Sequence, residues 1–190
     1  MLNKGQHISI SELQKLLQGC LAKDRSCQRK IYEVYGPSMM ALCLRYSKNR
    51  EEAEEILQDG FVQVFKNIFQ LKNTGSFEGW MRRIMINCAL QRYRSEENRF
   101  NLATFTADPC FQSEQMNQLD RLSEKEMIRL IHSLPPACRI VFNLFVFEGM
   151  KHREIASLLN ITEGTSKSNL SDARNILKKQ INPDLKIARL

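Results

Sequence analysis

The sequence predicts an all-α fold: two small helical domains joined by a flexible linker, the C-terminal one a helix-turn-helix. Apolar residues recur at helical spacing along most of the chain, and no segment shows the alternation of a strand. That periodicity fails once, over about residues 95–118, which hold Asp108-Pro109 and several polar residues. A stretch of about 24 residues is long for a loop inside one compact domain, so it divides the chain. The expected parts are a first domain over residues 11–98, a linker over 99–118 and a second domain over 119–182.

Taken in order, Ser11 can cap a helix carrying Leu13, Leu16, Leu17, Cys20 and Leu21. Asp24 can cap a second helix with Ile31, Val34 and Tyr35. Gly36 ends that helix and Pro37 opens a third, which carries Met40, Leu44 and Tyr46. Asn49 caps a long helix over about residues 50–69, whose first-turn glutamates Glu51, Glu52, Glu54 and Glu55 suit the positive end of the helix dipole. Its apolar face is Ala53, Ile56, Leu57, Phe61, Val64, Phe65 and Ile68. Residues 72–75 read as a loop, and Ser76 caps a helix over about 77–94 with Trp80, Ile84 and Cys88 on one face.

Helical pattern resumes near Leu119 and is interrupted at Leu134-Pro135-Pro136, because proline lacks the amide a helix interior needs. An apolar helix with Ile140, Val141, Leu144, Phe145 and Phe147 follows, and Gly149 stops it. Two more helices occupy about residues 151–159 and 164–181. Between them lie the requirements of a helix-turn-helix. Ala156 is small enough for a close helix crossing, and Ile155, Leu159 and Ile161 supply an apolar seam. Asn160 tolerates a left-handed turn, and Thr162 can cap the second helix. Leu170, Ala173 and Leu177 face inward, while Lys167, Ser168, Asn169, Asp172 and Arg174 face out, where such residues reach base edges and phosphates.

Composition narrows the function class. With 43% hydrophobic and 26% charged residues the 190-residue chain can bury real cores. It has no apolar stretch of membrane-spanning length, and Met1 to His7 lack a signal-peptide block, so a cytoplasmic location and no membrane insertion are expected. Residues 1–100 hold 16 basic against 11 acidic side chains and residues 123–190 hold 11 against 7, so two basic halves flank a weakly acidic connector. That balance suits a polyanion such as nucleic acid, with solubility as the plainer reading. The six cysteines Cys20, Cys27, Cys43, Cys88, Cys110 and Cys138 form no Cys-x-x-Cys pair and no ligand spacing with His7, His132 or His152. They are expected to behave as small hydrophobes, and neither metal nor cofactor is expected.

Several segments together resemble one family. Leu134-Pro135-Pro136, residues 142–149, Glu154-Ile155-Ala156 and Glu163-Gly164-Thr165-Ser166-Lys167-Ser168-Asn169-Leu170-Ser171-Asp172-Ala173-Arg174 resemble the promoter-binding domain of extracytoplasmic-function sigma factors of the sigma-70 family. Glu52-Ala53-Glu54-Glu55-Ile56-Leu57-Gln58-Asp59-Gly60-Phe61-Val62-Gln63-Val64-Phe65 looks like the family's core-polymerase-binding helix. Phe77-x-x-Trp80-x-x-Arg83-Ile84-x-x-Asn87 looks like its promoter-melting segment. The resemblance implies a specificity subunit that binds core RNA polymerase and directs initiation at chosen promoters, in response to stress or an envelope signal. It implies no catalytic residue and no small-molecule substrate. Many relatives are held inactive by an anti-sigma protein, which makes such an inhibitor an expected partner here.

Carried onto this chain, the resemblance places polymerase contacts at Gln58, Asp59, Val62 and Phe65. It places minus-10 contacts at Lys72, Asn73, Phe77, Trp80, Arg83, Asn87, Arg92 and Arg94, where aromatics beside arginines suit an unpaired strand. For Phe77 and Trp80 a core role stands beside the base-contacting one. The upstream minus-35 contacts fall at Thr165, Lys167, Ser168, Asn169, Asp172 and Arg174. Ser166 occupies a position the family fills with an aliphatic residue, which should loosen helix packing, and Asn169 and Ile86 occupy positions that are often basic. His152 reads as solvated or phosphate-facing. A stand-alone helix-turn-helix regulator explains the C-terminal motif but not Gln58-Asp59 or the Trp80 segment. An enzyme is disfavoured, because there is no glycine loop for nucleotides, nucleophile elbow or metal-ligand helix.

Overall fold

The computed structural model describes residues 8–71, 77–102 and 124–181; residues 96–102 and 124–125 are described by backbone alone. The described residues are helical, with no strand among them, and the chain divides into two compact units, Met1–Phe105 and Thr106–Leu190.

In the first unit, α1 (Ile10–Leu21) is capped by Ser9, whose hydroxyl accepts from the Glu12 amide at 3.2 Å. The cap thus sits two residues before the expected Ser11. Lys23 turns the chain through a left-handed conformation (φ 61°), and Asp24 starts α2 (Arg25–Tyr46) at once. The hydroxyl and amide of Ser26 donate to the Asp24 carboxylate and hold it below its usual range. The expected break at Gly36-Pro37 does not occur: α2 is one helix with Pro37 inside it. A proline there costs one backbone hydrogen bond. Burial outweighs that cost, because Ile31, Gly36, Met39, Leu42 and Cys43 form one continuous buried face across the proline.

Asn49 caps α3 (Arg50–Asn67), accepting from the Glu52 amide at 2.9 Å, while the Glu52 carboxylate accepts from the Lys48 amide. A single 3-10 turn (Ile68–Gln70) follows. Helix α4 (Phe77–Leu102) runs eight residues beyond the expected end and into the region expected to be linker; the rest of that linker lies outside the described residues. α2, α3 and α4 pack against one another, and α1 packs on α2. α3 and α4 approach closely at Gly60, where an added Cβ would force the buried Met85 thioether to shift. The buried side of α4 is Phe77, Met81, Met85, Ile86, Ala89 and Leu90. Trp80, Ile84 and Cys88, the expected face, are only half-buried. Both stripes are apolar, and the one between α2 and α3 becomes the core.

In the second unit, α5 (Glu124–His132) leads through Pro135 to α6 (Pro136–Val146), with proline at the first helical position. Gly149 (φ 67°) ends this segment, and the Met150 amide bonds back to the Leu144 carbonyl at 3.0 Å. α7 (His152–Leu159) and α8 (Glu163–Ile181) follow. α5, α6 and α7 all pack on α8. Leu134, Cys138 and Ala173 form a buried cluster, with Phe142, Ile176 and Leu177 against it.

Candidate functional site

The turn between α7 and α8 has the geometry its sequence predicts. Asn160 is left-handed (φ 56°, ψ 45°), and the Ile161 amide reaches the Ala156 carbonyl at 3.0 Å, the six-residue closure of a Schellman motif. The Thr162 hydroxyl accepts from the Thr165 amide at 3.0 Å and opens α8. At the other end of α7, the Glu154 carboxylate accepts from the Lys151 amide at 2.7 Å. Ile155 and Ala156 are buried at the crossing, opposite buried Ser166, Leu170 and Ala173 of α8.

This packing fixes what α8 offers to solvent. Thr165, Lys167, Ser168, Asp172 and Arg174 are exposed, and Asn169 is half-buried on one flank. At about 100° per residue, the positions opposite the buried stripe are Ser168, Ser171 and Asn175. Ser171 and Asn175 were not among the expected contacts; the burial pattern of α8, unlike its motif, points to them. Lys167 and Arg174 share one flank, and the Arg174 guanidinium lies 5.6 Å from the centroid of the Phe145 ring.

Ser166 does not loosen the helix pair as expected. It is fully buried, and its hydroxyl shares a 2.9 Å hydrogen bond with Nδ1 of His152. His152 is accordingly tied into the helix packing rather than fully solvated. It is half-buried, and its ring stacks on Phe145 at 4.8 Å between centroids, 27° between planes.

In the first unit, the outward side of α4 carries Trp80, Arg83, Asn87, Gln91 and Arg94 at three- and four-residue spacing. Gln91 was not expected there. Phe77 is 1% exposed and packs edge-on to Tyr35 at 5.3 Å, so it is a core residue with no face for a base. Trp80 reaches the surface with its ring 6.1 Å from that of Phe77. Arg92 is drawn the other way, into ion pairs with Glu55 and Glu52 of α3. Its charge clamps α3 to α4, which removes it from the outward stripe. Lys72 and Asn73 lie outside the described residues.

On α3, Gln58, Asp59 and Val62 are exposed, Val62 at 48%, whereas Phe65 is half-buried against Phe61. The three form a ridge with a groove on each side. One groove, about 610 Å³, lies between α3 and α4 and includes Asp59, Val62, Lys66 and Gln91. The other, about 410 Å³, lies between α2 and α3 and includes Tyr32, Pro37, Met40, Leu57 and Gln58. Met40, which periodicity reads as an apolar helix position, and Tyr32, which it leaves out, both line this groove.

No group of three or more potential metal ligands exists among the described residues. Burial pushes the Cys43 thiol up to about 12 and, with Cys27 and Asp24 nearby, the Cys20 thiol up to about 11. Such thiols stay protonated at neutral pH, which disfavours nucleophilic and metal-ligand roles. Cys110 lies outside the described residues. No described helix is long and apolar enough to cross a membrane.

Comparison with known proteins matches both units. Sigma-70 region 2 matches residues 31–99, and sigma-70, region 4 matches residues 118–177. The RNA polymerase sigma-H factor of Pseudomonas aeruginosa is 24% identical over 165 residues, 81% of this chain and 86% of that protein. The ECF RNA polymerase sigma factor SigW of Bacillus subtilis is 26% identical over 171 residues, 83% of this chain and 90% of that protein. Among solved structures, the sigma factor RpoE in complex with the anti-sigma factor NepR from Bartonella quintana aligns with a TM-score of 0.48 at 21% identity, covering 85% of this chain and 98% of that one.

Proposed function

The chain belongs to the sigma-70 family of RNA polymerase sigma factors, in its extracytoplasmic-function group, and on that premise we propose how its surfaces divide the work. The protein is a sigma factor: with core RNA polymerase it directs promoter-specific transcription initiation, as a specificity subunit. It acts in the cytoplasm and contributes no catalytic residue or cofactor of its own.

The first domain, residues 11–98, binds polymerase and the minus-10 element. The ridge of Gln58, Asp59 and Val62 docks on core polymerase, with the two flanking grooves accepting its side chains. Phe65 supports the ridge from behind. The outward stripe of Trp80, Arg83, Asn87 and Arg94, with Gln91, holds the unpaired minus-10 strand: the ring stacks on a base and the guanidinium groups track phosphates. Lys72 and Asn73 are further contacts to that element. The second domain, residues 119–182, enters the major groove of the minus-35 element with the start of α8. Ser168, Ser171 and Asn175 face the base edges, Asn169 and Asp172 lie on one flank, and Lys167 and Arg174 hold the phosphates on the other. Thr165 sits in the first turn, its amide tied to Thr162. The connector expected over 99–118, of which 99–102 are the last residues of α4, joins the domains. An anti-sigma protein that covers these surfaces would tie initiation to stress or an envelope signal.

The observation that carries this reading is the exposure pattern. Gln58 and Asp59 on α3, Arg83, Asn87 and Arg94 on α4, and Lys167, Ser168, Asp172 and Arg174 on α8 each fall on the solvent side of a helix whose other side is core. Asp59→Ala tests it: the substitution should leave the fold within about 0.5 kcal/mol, as exposed sites do, and weaken binding to core polymerase. Unchanged polymerase affinity would contradict the docking assignment.

A further inference from the structure

We propose that His152 is a positioning residue for promoter reading: it sets the orientation of α8 from outside that helix. The proposal rests on the placement of α8 in the upstream element.

Ser166 is fully buried at the crossing of α7 and α8. A buried hydroxyl needs a partner, and leaving it without one destabilises the site. The His152 ring supplies the partner, with Nδ1 2.9 Å from the Ser166 oxygen across fourteen residues of sequence. The bond constrains rotation of α8 about its own axis more than apolar contact would, because hydrogen-bond strength falls steeply with angle. Lys167 is the next residue along and inherits that orientation.

His152 is itself held. It is the first residue of α7, and its ring stacks on Phe145 of α6 at 4.8 Å. The same Phe145 ring receives the Arg174 guanidinium at 5.6 Å. A chain of contacts therefore leaves α8 at Ser166, crosses α7 and α6, and returns to α8 two turns later at Arg174. Both flank cations of the recognition helix are tied to this imidazole: Lys167 through its neighbour Ser166, and Arg174 through Phe145. Serine at 166 and histidine at 152 form a matched pair, and each is costly without the other.

The test uses the full chain with core polymerase. The template carries a promoter whose start site has been mapped with the wild type, and a second template has its upstream element scrambled. The readout is the ratio of transcripts from the two. His152→Leu keeps bulk but removes the ring nitrogen, and should lower the ratio about tenfold, the scale of one lost hydrogen bond to a buried group. His152→Asn places an amide near the Nδ1 position and should keep the ratio within about threefold. The double variant His152→Leu with Ser166→Val removes both polar partners and should recover most of it, since paired apolar replacement strands nothing. A general loss of stability would lower transcription from both templates alike. A ratio unchanged in His152→Leu, or equally low in Leu, Asn and double variants, overturns the proposal. Should His152→Leu fail to fold, His152→Gln replaces it, with an amide too far from Ser166: a ratio kept by Asn and lost by Gln supports the proposal, and equal ratios overturn it. A wild type with no upstream dependence overturns the placement of α8 and the proposal with it.

Discussion

The two units hold their working helices in different ways. Among the described residues, 20 buried apolar side chains in the first stand against one buried polar residue, Ser47. In the second, 11 stand against three: Arg139, Asn143 and Ser166. α4 rests on an apolar bed of Phe77, Met81, Met85 and Leu90, while α8 also makes a buried hydrogen bond to another helix. The difference fits the two tasks proposed for these helices. A single strand adapts to a stripe of stacking and charged groups, so a broad apolar support suffices. A duplex groove is read by hydrogen bonds of fixed direction, so the helix entering it benefits from a directional support.

The sharpest way to break this contrast is to disturb each support. Gly60→Val should destabilise the first unit by about 2 kcal/mol or more, because the new side chain displaces the Met85 thioether between α3 and α4. Gly79→Ala, where nothing lies within 4 Å, should instead be neutral or stabilising by about 0.5 kcal/mol. Urea unfolding compares the two, and equal losses would contradict close packing at Gly60.

On the working face of α4, Trp80→Ala should slow promoter opening by the worth of one stacked base, about 1–3 kcal/mol. Permanganate reactivity of unpaired thymines reads this directly. A pre-melted bubble template should restore activity, whereas a defect that persists on the bubble would argue for a folding role.

On α8 the expected effects are smaller and electrostatic. Lys167→Ala and Arg174→Ala should each weaken promoter binding across sequences and reduce the salt dependence by about one unit of slope. A slope equal to that of the wild type would remove the residue from the phosphate contacts.

The smallest effect separates thiols from function. Cys43 and Cys20 have raised folded values, about 12 and about 11, against an ordinary value of 9.0. The unfolded chain therefore loses these protons first, so stability is complete below about pH 9 and falls as pH rises from there toward the folded values. Cys43→Val should flatten the alkaline limb of a stability–pH curve. An unchanged limb would place the titration elsewhere.

How much of this was legible in sequence depended on whether the deciding contact was local. Gly149, Asn160 and Thr162 punctuate α6, α7 and α8 through their own backbone preferences, and the structure puts each where those preferences point. Asn49 and the glutamates after it mark the start of α3 in the same way. The exposed ridge of Gln58, Asp59 and Val62 follows from a clean apolar period on the other side of that helix. Pro37 misled, because a local helix breaker was outweighed by a buried face formed with α3 and α4. Two apolar stripes on α4 left its rotation undetermined until neighbours chose between them. Arg92 looked like a DNA contact because its partner Glu55 is 37 residues away. The pairing of His152 with Ser166 was equally hidden, since neither residue carries a local signal of the other.

Both supports are proposed to serve one act, promoter-specific initiation. Sequencing the 5′ ends of transcripts made by core RNA polymerase, with and without the protein, tests it most directly. A defined set of start sites should appear only with the protein, be lost with Asp59→Ala and be reduced by scrambling the upstream element. Identical start sites in both reactions, or no association with core polymerase, would contradict it.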